Sequence, residues 1–273
     1  MTSRPLLTLS KSEISSGESQ DGQQTSSAGG ILIINADDWG MDSETTDRIF
    51  ECVRRGSVSS ASAMVFMADS QRAADLAHDY SVDVGLHLNF TTSFTSPQTP
   101  AGLMHHQQLL MRFLRGNRFA KTVFHPALHG SFKYVVAAQL EEFRRLLGVE
   151  PKHIDGHHHM HLCANVLFGD LLPAGTAARR NFSFQAGEKS MTNRFFRKLS
   201  DNKLARKHRV ADYFFSLPPL EPTERLERIV ELAKQFVVEV ETHPANPEEY
   251  RFLTDGRIFD LIGDVPLASS YQL

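Results

Sequence analysis

Hydrophobic positions along this chain fall in blocks that alternate between two periods. Ile31-Leu32-Ile33-Ile34 is a run of four large apolar residues without alternation, which predicts a strand buried on both faces, as at the centre of a parallel sheet. The run stops at Asp37-Asp38-Trp39-Gly40. Ser43 is the expected N-cap of a helix with Glu44 and Asp47 in its first turn, Ile49, Phe50 and Val53 as its stripe, and Gly56 as its stop. Ser59 to Met67 forms a second strand pattern, Asp69 to His78 a helix with Ala73, Ala74, Leu76 and Ala77 inward, and Val82 to Asn89 a third strand. A β-α-β-α-β succession calls for parallel strands with crossover helices.

The rhythm breaks from Thr91 to Phe124, where Pro97, Pro100, Gly102 and Gly116 surround a short helical pattern over Leu103 to Leu114. An excursion of this length between repeating units is more often a functional loop than idle chain. Gln139 to Leu147 is the next helix, closed by Gly148, and Lys152 to His161 the next strand and loop. Asn181 to Gln185 and Ala211 to Leu217 are weaker strand patterns, with Met191 to Arg209 a basic helix between them. Pro222 suits the first turn of a helix, Phe236 to Thr242 is the last clear strand, and Glu248 to Leu261 is helical in pattern. No repeat and no linker interrupts residues 31–273, so one α/β domain is expected. Its length is close to the ~250 residues of a (β/α) barrel.

Composition narrows the picture further. The chain has 273 residues, 41% of them hydrophobic, and a net charge of −3, which gives no electrostatic footprint for nucleic acid. No apolar run approaches the ~18 residues of a membrane span. Residues 1–30 are rich in Ser, Gln and Gly and are expected to form a disordered tail. The patch Pro5-Leu6-Leu7-Thr8-Leu9 is shorter than a signal-peptide core of about 7–15 apolar residues, so a cytoplasmic protein is expected. Cys52 and Cys163 have no metal-type spacing and are expected to be reduced thiols.

The chemistry sits where strands end. Asp37 and Asp38 repel one another and are costly to bury without a cation or a shared proton, although Asp-Asp-x-Gly is also ordinary turn chemistry. The histidines decide between the two. In His153-Ile154-Asp155-Gly156-His157-His158-His159-Met160-His161, residues 155, 157, 159 and 161 share parity, so an extended segment would point them one way. Clustered imidazoles beside carboxylates form a metal site, and a carboxylate with two imidazoles leaves coordination positions open for catalysis. Asp37/Asp38, His87, His157 and His243 converge if the strands close around one pocket.

Four ordered motifs carry a family resemblance: Asn35-Ala36-Asp37-Asp38-Trp39-Gly40, Val84-Gly85-Leu86-His87-Leu88-Asn89, the cluster from His153 to His161, and Glu241-Thr242-His243-Pro244. Together they resemble the YdjC-like carbohydrate deacetylases, a group that includes chitooligosaccharide and hopanoid-associated deacetylases. The resemblance implies a deformed (β/α) TIM-like barrel, often a homodimer, that removes N-acetyl groups from amino sugars with one divalent ion. Mg or Zn is the expected ion, with Mn, Co and Fe as alternatives. It further implies Asp38, His87 and His157 as ligands, Asp37 as the base, and His243 on the leaving-group side. Trp39, Asn89, His159 and His161 are expected to contact the acetylated amino-sugar substrate, with Trp39, in place of the usual phenylalanine, able to stack on a sugar. Pro266 to Tyr271 resembles the family's last strand.

Two departures stand out. Ala245-Asn246 follows His-Pro where glycine is common, and Phe182-Ser183-Phe184-Gln185 does not clearly match the family's arginine-bearing strand. A non-haem iron oxygenase uses a similar ligand triad, and a non-catalytic sugar-binding relative would keep the same motifs. The basic stretch 191–209 is expected to be a solvated helix face, with peripheral contact to an anionic lipid surface as the sharper alternative.

Overall fold

In the computed structural model, residues 29–116, 119–183 and 191–268 are described. Residues 1–28 of the expected tail lie outside that set. The elements run β1 (Ile31–Trp39), α1 (Ser43–Arg55), β2 (Ser60–Ala63), α2 (Ser70–Asp79), β3 (Val84–Leu88), α3 (Ala101–Gly116) and α4 (Pro126–Leu147). They continue with β4 (His153–Gly156), a 3-10 turn at His157–Leu162, α5 (Ala164–Leu167), β5 (Ala177–Ala178), α6 (Met191–Ala205) and β6 (Tyr213–Ser216). The last are α7 (Glu224–Ala233), β7 (Val237–Thr242), α8 (Pro247–Thr254) and α9 (Arg257–Ile262).

The strands form one parallel sheet in the order β5-β4-β3-β2-β1-β7-β6. It curls until its edges meet: Ala177 bridges Arg209, and the Ser183 N–H donates to the Phe214 carbonyl at 2.8 Å. This is the deformed (β/α) barrel that the family resemblance implies, with β1 in the interior of the sheet between β2 and β7. Leu32, Ile34 and Ala36 join the core under the helices, whereas Ile33 packs with Ala177. Above that small apolar layer the strands turn polar residues inward.

Several boundaries differ from the sequence reading for local reasons. Asp42, rather than Ser43, caps α1, because its extended backbone aims the carboxylate at the Thr45 N–H, 2.8 Å away. Helix α4 starts at Pro126, well before Gln139; Phe132, Val135 and Val136 anchor its first half in the core despite the intervening His, Gly and Lys. No strand forms at 181–183, where the Asn181 N–H donates to the Asp201 side chain, and 184–185 lie outside the described residues. The helical pattern from Glu248 to Leu261 breaks at Gly256, whose φ of 99° no continuing helix adopts. The expected last strand survives as one bridge, Leu32 to Leu267, with 269–271 outside the described residues. Among the described residues no helix is long and apolar enough to cross a membrane.

Gly85 shows how tightly the barrel interior is filled. A Cβ there would sit 2.4 Å from the imidazole of His153, which is wholly buried on the neighbouring β4. Gly85→Ala is therefore expected to destabilise the protein by about 1–3 kcal/mol, the usual cost of overpacking. Denaturant unfolding measures it, and an unchanged midpoint would show that His153 has room to move.

Candidate active site at the strand ends

The centre of the barrel holds Arg179, which follows β5 and is completely buried. Its guanidinium grips Asp37 with both terminal nitrogens, Nη1 to Oδ2 at 2.6 Å and Nη2 to Oδ1 at 2.8 Å. It also meets Glu239 at 2.6 Å, Asp155 at 2.7 Å and Glu241 at 3.3 Å. The ring of Phe214 lies 4.9 Å beneath it. Burial disfavours the charged arginine, but Asp155 and Asp37 outweigh that and hold it firmly protonated. Four carboxyls against one cation leave an excess of negative charge. Burial, then the neighbouring Asp37, pushes the Glu241 carboxyl up to about 9, so it carries a proton at neutral pH.

Both aspartates of the sequence motif reach this site, which strand alternation alone would forbid. Asp38 has a left-handed backbone, φ 72°, and the pairing of β1 with β2 shifts register between Ala36 and Trp39. Such an irregularity re-aims a side chain at a strand end. Asp38 Oδ1 then lies 2.9 Å from His157 Nδ1 and 3.3 Å from His87 Nε2. Burial works against the Asp38 anion, but the hydrogen bond with His157 and the His87 imidazole close beside it hold its carboxyl well below the usual range.

His87 is oriented from behind. Its Nδ1 is 2.8 Å from Asp155 Oδ1, and since Asp155 is held ionised by Arg179 and His87 against burial, Nδ1 carries the donated proton. That leaves the buried Nε2 without a hydrogen-bond partner among the described residues, aimed toward Asp38. Asp155 is in turn fixed by Ser62, which bonds its Oδ2 at 2.8 Å and contacts His153 and Asn35; Asn35 donates to Asp37 at 2.8 Å. Burial brings the His153 imidazole down to about 4, so it is neutral.

This arrangement fits a divalent cation. One atom each from Asp38, His87 and His157 lies within 4.8 Å of the others. Their 2.9 and 3.3 Å separations are those of donors about 2.0–2.1 Å from a shared ion. The orphaned Nε2 is the atom such an ion would satisfy, and the Asp155–His87 pair is the usual support behind a metal-binding imidazole. His243, half exposed, brings its Nε2 to 3.9 Å from Asp37 Oδ2 on the open side.

The other expected contacts divide. After Gly156 the chain does not stay extended: His158 and His159 both adopt positive φ, 55° and 56°, in a tight turn. Shared parity therefore does not set where these imidazoles point. His159 stays at the rim, 3.7 Å from Glu241 and edge-on to Phe182. His161 is fully buried with Nε2 on the Arg179 carbonyl at 2.9 Å, and burial drops it to about 3. Asn89 is also buried and caps the turn at Thr91 and Thr92. Trp39, expected to stack on a sugar, is 1% exposed and packs with Ala63, Met64 and Ala73 under the helices. The reversal at Asp38 that brings the aspartate in sends the indole out.

Arg179, Glu239 and Glu241 were not foreseen as site residues. The two glutamates had a signal, since acids at alternate positions of an apolar parallel strand must find buried partners. Arg179 in Ala177-Ala178-Arg179-Arg180 had none in its local pattern. The excursion after β3 does reach the site: Thr91 Oγ1 lies 2.9 Å from His158 Nδ1. Burial, then Arg197, lowers the Lys121 ammonium to about 8, and Glu241 also acts on it.

A family model described as YdjC-like protein matches residues 31–262. The chain is 32% identical over 151 residues to a carbohydrate deacetylase of Mus musculus, covering 52% of this chain and 47% of the relative. It is 32% identical over 132 residues to a chitooligosaccharide deacetylase of Proteus mirabilis (strain HI4320), covering 48% and 50%. The chain thus spans about half the length of the curated relatives it matches. A solved structure from Enterococcus faecalis V583, described as a candidate cellobiose-phosphate cleavage protein, superposes with a TM-score of 0.63 at 19% identity, covering 90% of this chain and 98% of that one. That likeness supports the fold.

Two outcomes follow from the charge cluster. Arg179→Met leaves its carboxyls uncompensated and is expected to cost about 3–5 kcal/mol at neutral pH, with partial recovery in acid; parental stability by denaturant titration would mean another cation compensates them. For Glu241 the folded value of about 9 exceeds the ordinary 4.5, so its contribution is complete below pH ~4.5 and is lost as pH rises toward 9. Glu241→Gln should flatten that loss, and identical pH–stability curves for parent and variant would refute a protonated Glu241.

Proposed function

This chain belongs to the YdjC-like protein family, and from that membership and the site geometry we propose a divalent-metal-dependent hydrolase that removes the N-acetyl group from an amino-sugar-containing carbohydrate. The observation that carries the reading is the convergence of Asp38, His87 and His157 beside Asp37 and His243. In this reading Asp38, His87 and His157 hold one ion. When bound, a divalent ion polarises a carbonyl and lowers the pKa of water. Two imidazoles with one carboxylate suit Zn, Mn, Co or Fe better than Mg. A dication, the Arg179 charge and the proton on Glu241 together bring the carboxyls around this site close to neutrality.

The chain's own residues divide the remaining work. Asp37 takes a proton from the attacking water, held in place by the Arg179 fork and Asn35. His243, on the open side, delivers a proton to the departing nitrogen as the C–N bond breaks, giving acetate and a free amine. His159 and Phe182 at the rim are suited to contact the sugar. We read the protein as a cytoplasmic homodimer with no nucleic-acid partner and a solvated basic helix α6. Acetate release without oxygen or reductant separates this reading from an iron oxygenase, and acetate release at all separates it from a non-catalytic sugar-binding protein.

The two aspartates have different expected phenotypes. Asp37→Asn should bind metal normally while turnover falls by about 10²–10⁴, the usual contribution of a general base. Asp38→Asn should lose metal affinity, with activity partly restored by excess ion. Metal content and acetate release on both variants, across a panel of acetylated sugars, make the comparison. An Asp37→Asn protein that loses its ion beside an Asp38→Asn protein that keeps it would reverse the roles.

A further inference from the structure

His243 lies just beyond the end of β7, and the groups that fix it are not part of the charge cluster. Glu249, in the first turn of α8, is 3% exposed. One of its oxygens, Oε2, accepts two hydrogen bonds, from the His243 backbone N–H at 2.9 Å and from the Thr242 hydroxyl at 2.8 Å. The His243 carbonyl accepts from the Asn246 N–H at 2.8 Å, so both backbone groups of residue 243 are engaged. From outside, Arg48 of α1 donates to the Ala245 carbonyl at 2.8 Å, with Glu44 on its other terminal nitrogen. Neither Ala245 nor Asn246 has positive φ, so this turn needs no glycine.

A carboxyl is costly to bury on a helix that does not need it. Helix α8 has its own cap, since Asn246 accepts from the Glu248 N–H at 2.9 Å. The role left for Glu249 lies in the strand end it holds. We propose that Glu249 is a positioning residue for His243: by fixing the backbone of residues 242 and 243 from within, it sets the imidazole against Asp37 and makes proton delivery to the leaving nitrogen efficient. This rests on the role of His243 in the reading above. Burial raises the Glu249 carboxyl above its usual value, while the His243 N–H and Thr242 bonds pull the other way.

The test compares Glu249→Ala, Glu249→Gln, His243→Ala and the double variant His243→Ala/Glu249→Ala, assayed by acetate release from the best acetylated sugar of the panel. Glu249→Ala is expected to lower kcat about 10–100-fold, as small misplacements of catalytic groups do, with KM within about two-fold and metal content unchanged. Glu249→Gln keeps an oxygen that can accept both bonds and is expected to restore most of the loss. The double variant should be no slower than His243→Ala, because residues acting as one unit are not additive. Parental kcat in Glu249→Ala, or an additive loss in the double variant, overturns the proposal. Should Glu249→Ala fail to fold, Glu249→Asp takes its place, since it withdraws the oxygen by one methylene and should lose kcat in the same way; parental kcat there is equally fatal. His243→Ala at parental rate overturns the role of His243 and this proposal with it, whereas a slow His243→Ala beside a fast Glu249→Ala overturns this proposal alone.

Discussion

One buried guanidinium determines where the polar groups of this barrel stand. Arg179 has no exposed surface and touches carboxyls from β1, β4 and β7. Burying a cation is repaid only by close, well-directed partners, and here the partners come from opposite walls. The same contact therefore closes the barrel and arranges its chemistry. Asp37 is held by the fork, Asp155 is kept ionised and accepts the Nδ1–H of His87, and Glu241 retains a proton because too many acids share one cation. Ile33 and Ala177 form a separate small apolar cluster, with Ile31, Val237 and Ala268 packed against it.

The ligand geometry then depends on two departures from regular backbone. Asp38 turns left-handed at the end of β1, and His158 and His159 do so after β4. Non-glycine residues in that region are strained and persist only where the surroundings hold them. Asp38 is held by two imidazoles, and His158 by Thr91. In each place the strain converts a two-residue alternation into a local cluster, so that neighbours in sequence share one pocket. The burial of Trp39 is the complement of this: with Asp38 facing in, the next side chain must go out to the helices.

The site also draws on parts of the chain far from its motifs. The excursion after β3 meets the histidine turn through Thr91, and α8 holds the end of β7 through Glu249. Residues outside the strands thus fix side chains at the strand ends, as loops on a rigid scaffold commonly do.

The sequence by itself determined the framework. Unbroken apolar runs ending in acids and histidines specified parallel strands, their order in the chain, and the groups that collect at their ends, because burial on two faces leaves a plain signature. Its four ordered motifs offered Asp37, Asp38, His87, His157 and His243 as one expected set, and the fold brings these side chains near one another. What only the tertiary structure decided was direction and partnership. No pattern in Ala177-Ala178-Arg179-Arg180 says that one arginine will meet carboxyls from three other strands, since that contact exists only once the sheet has curled. Parity placed His161 in the site and the family resemblance offered Trp39 to a sugar, but left-handed residues at Asp38, His158 and His159 reversed those expectations. Backbone turns of that kind depend on contacts from distant strands, and a local stretch of sequence does not contain them.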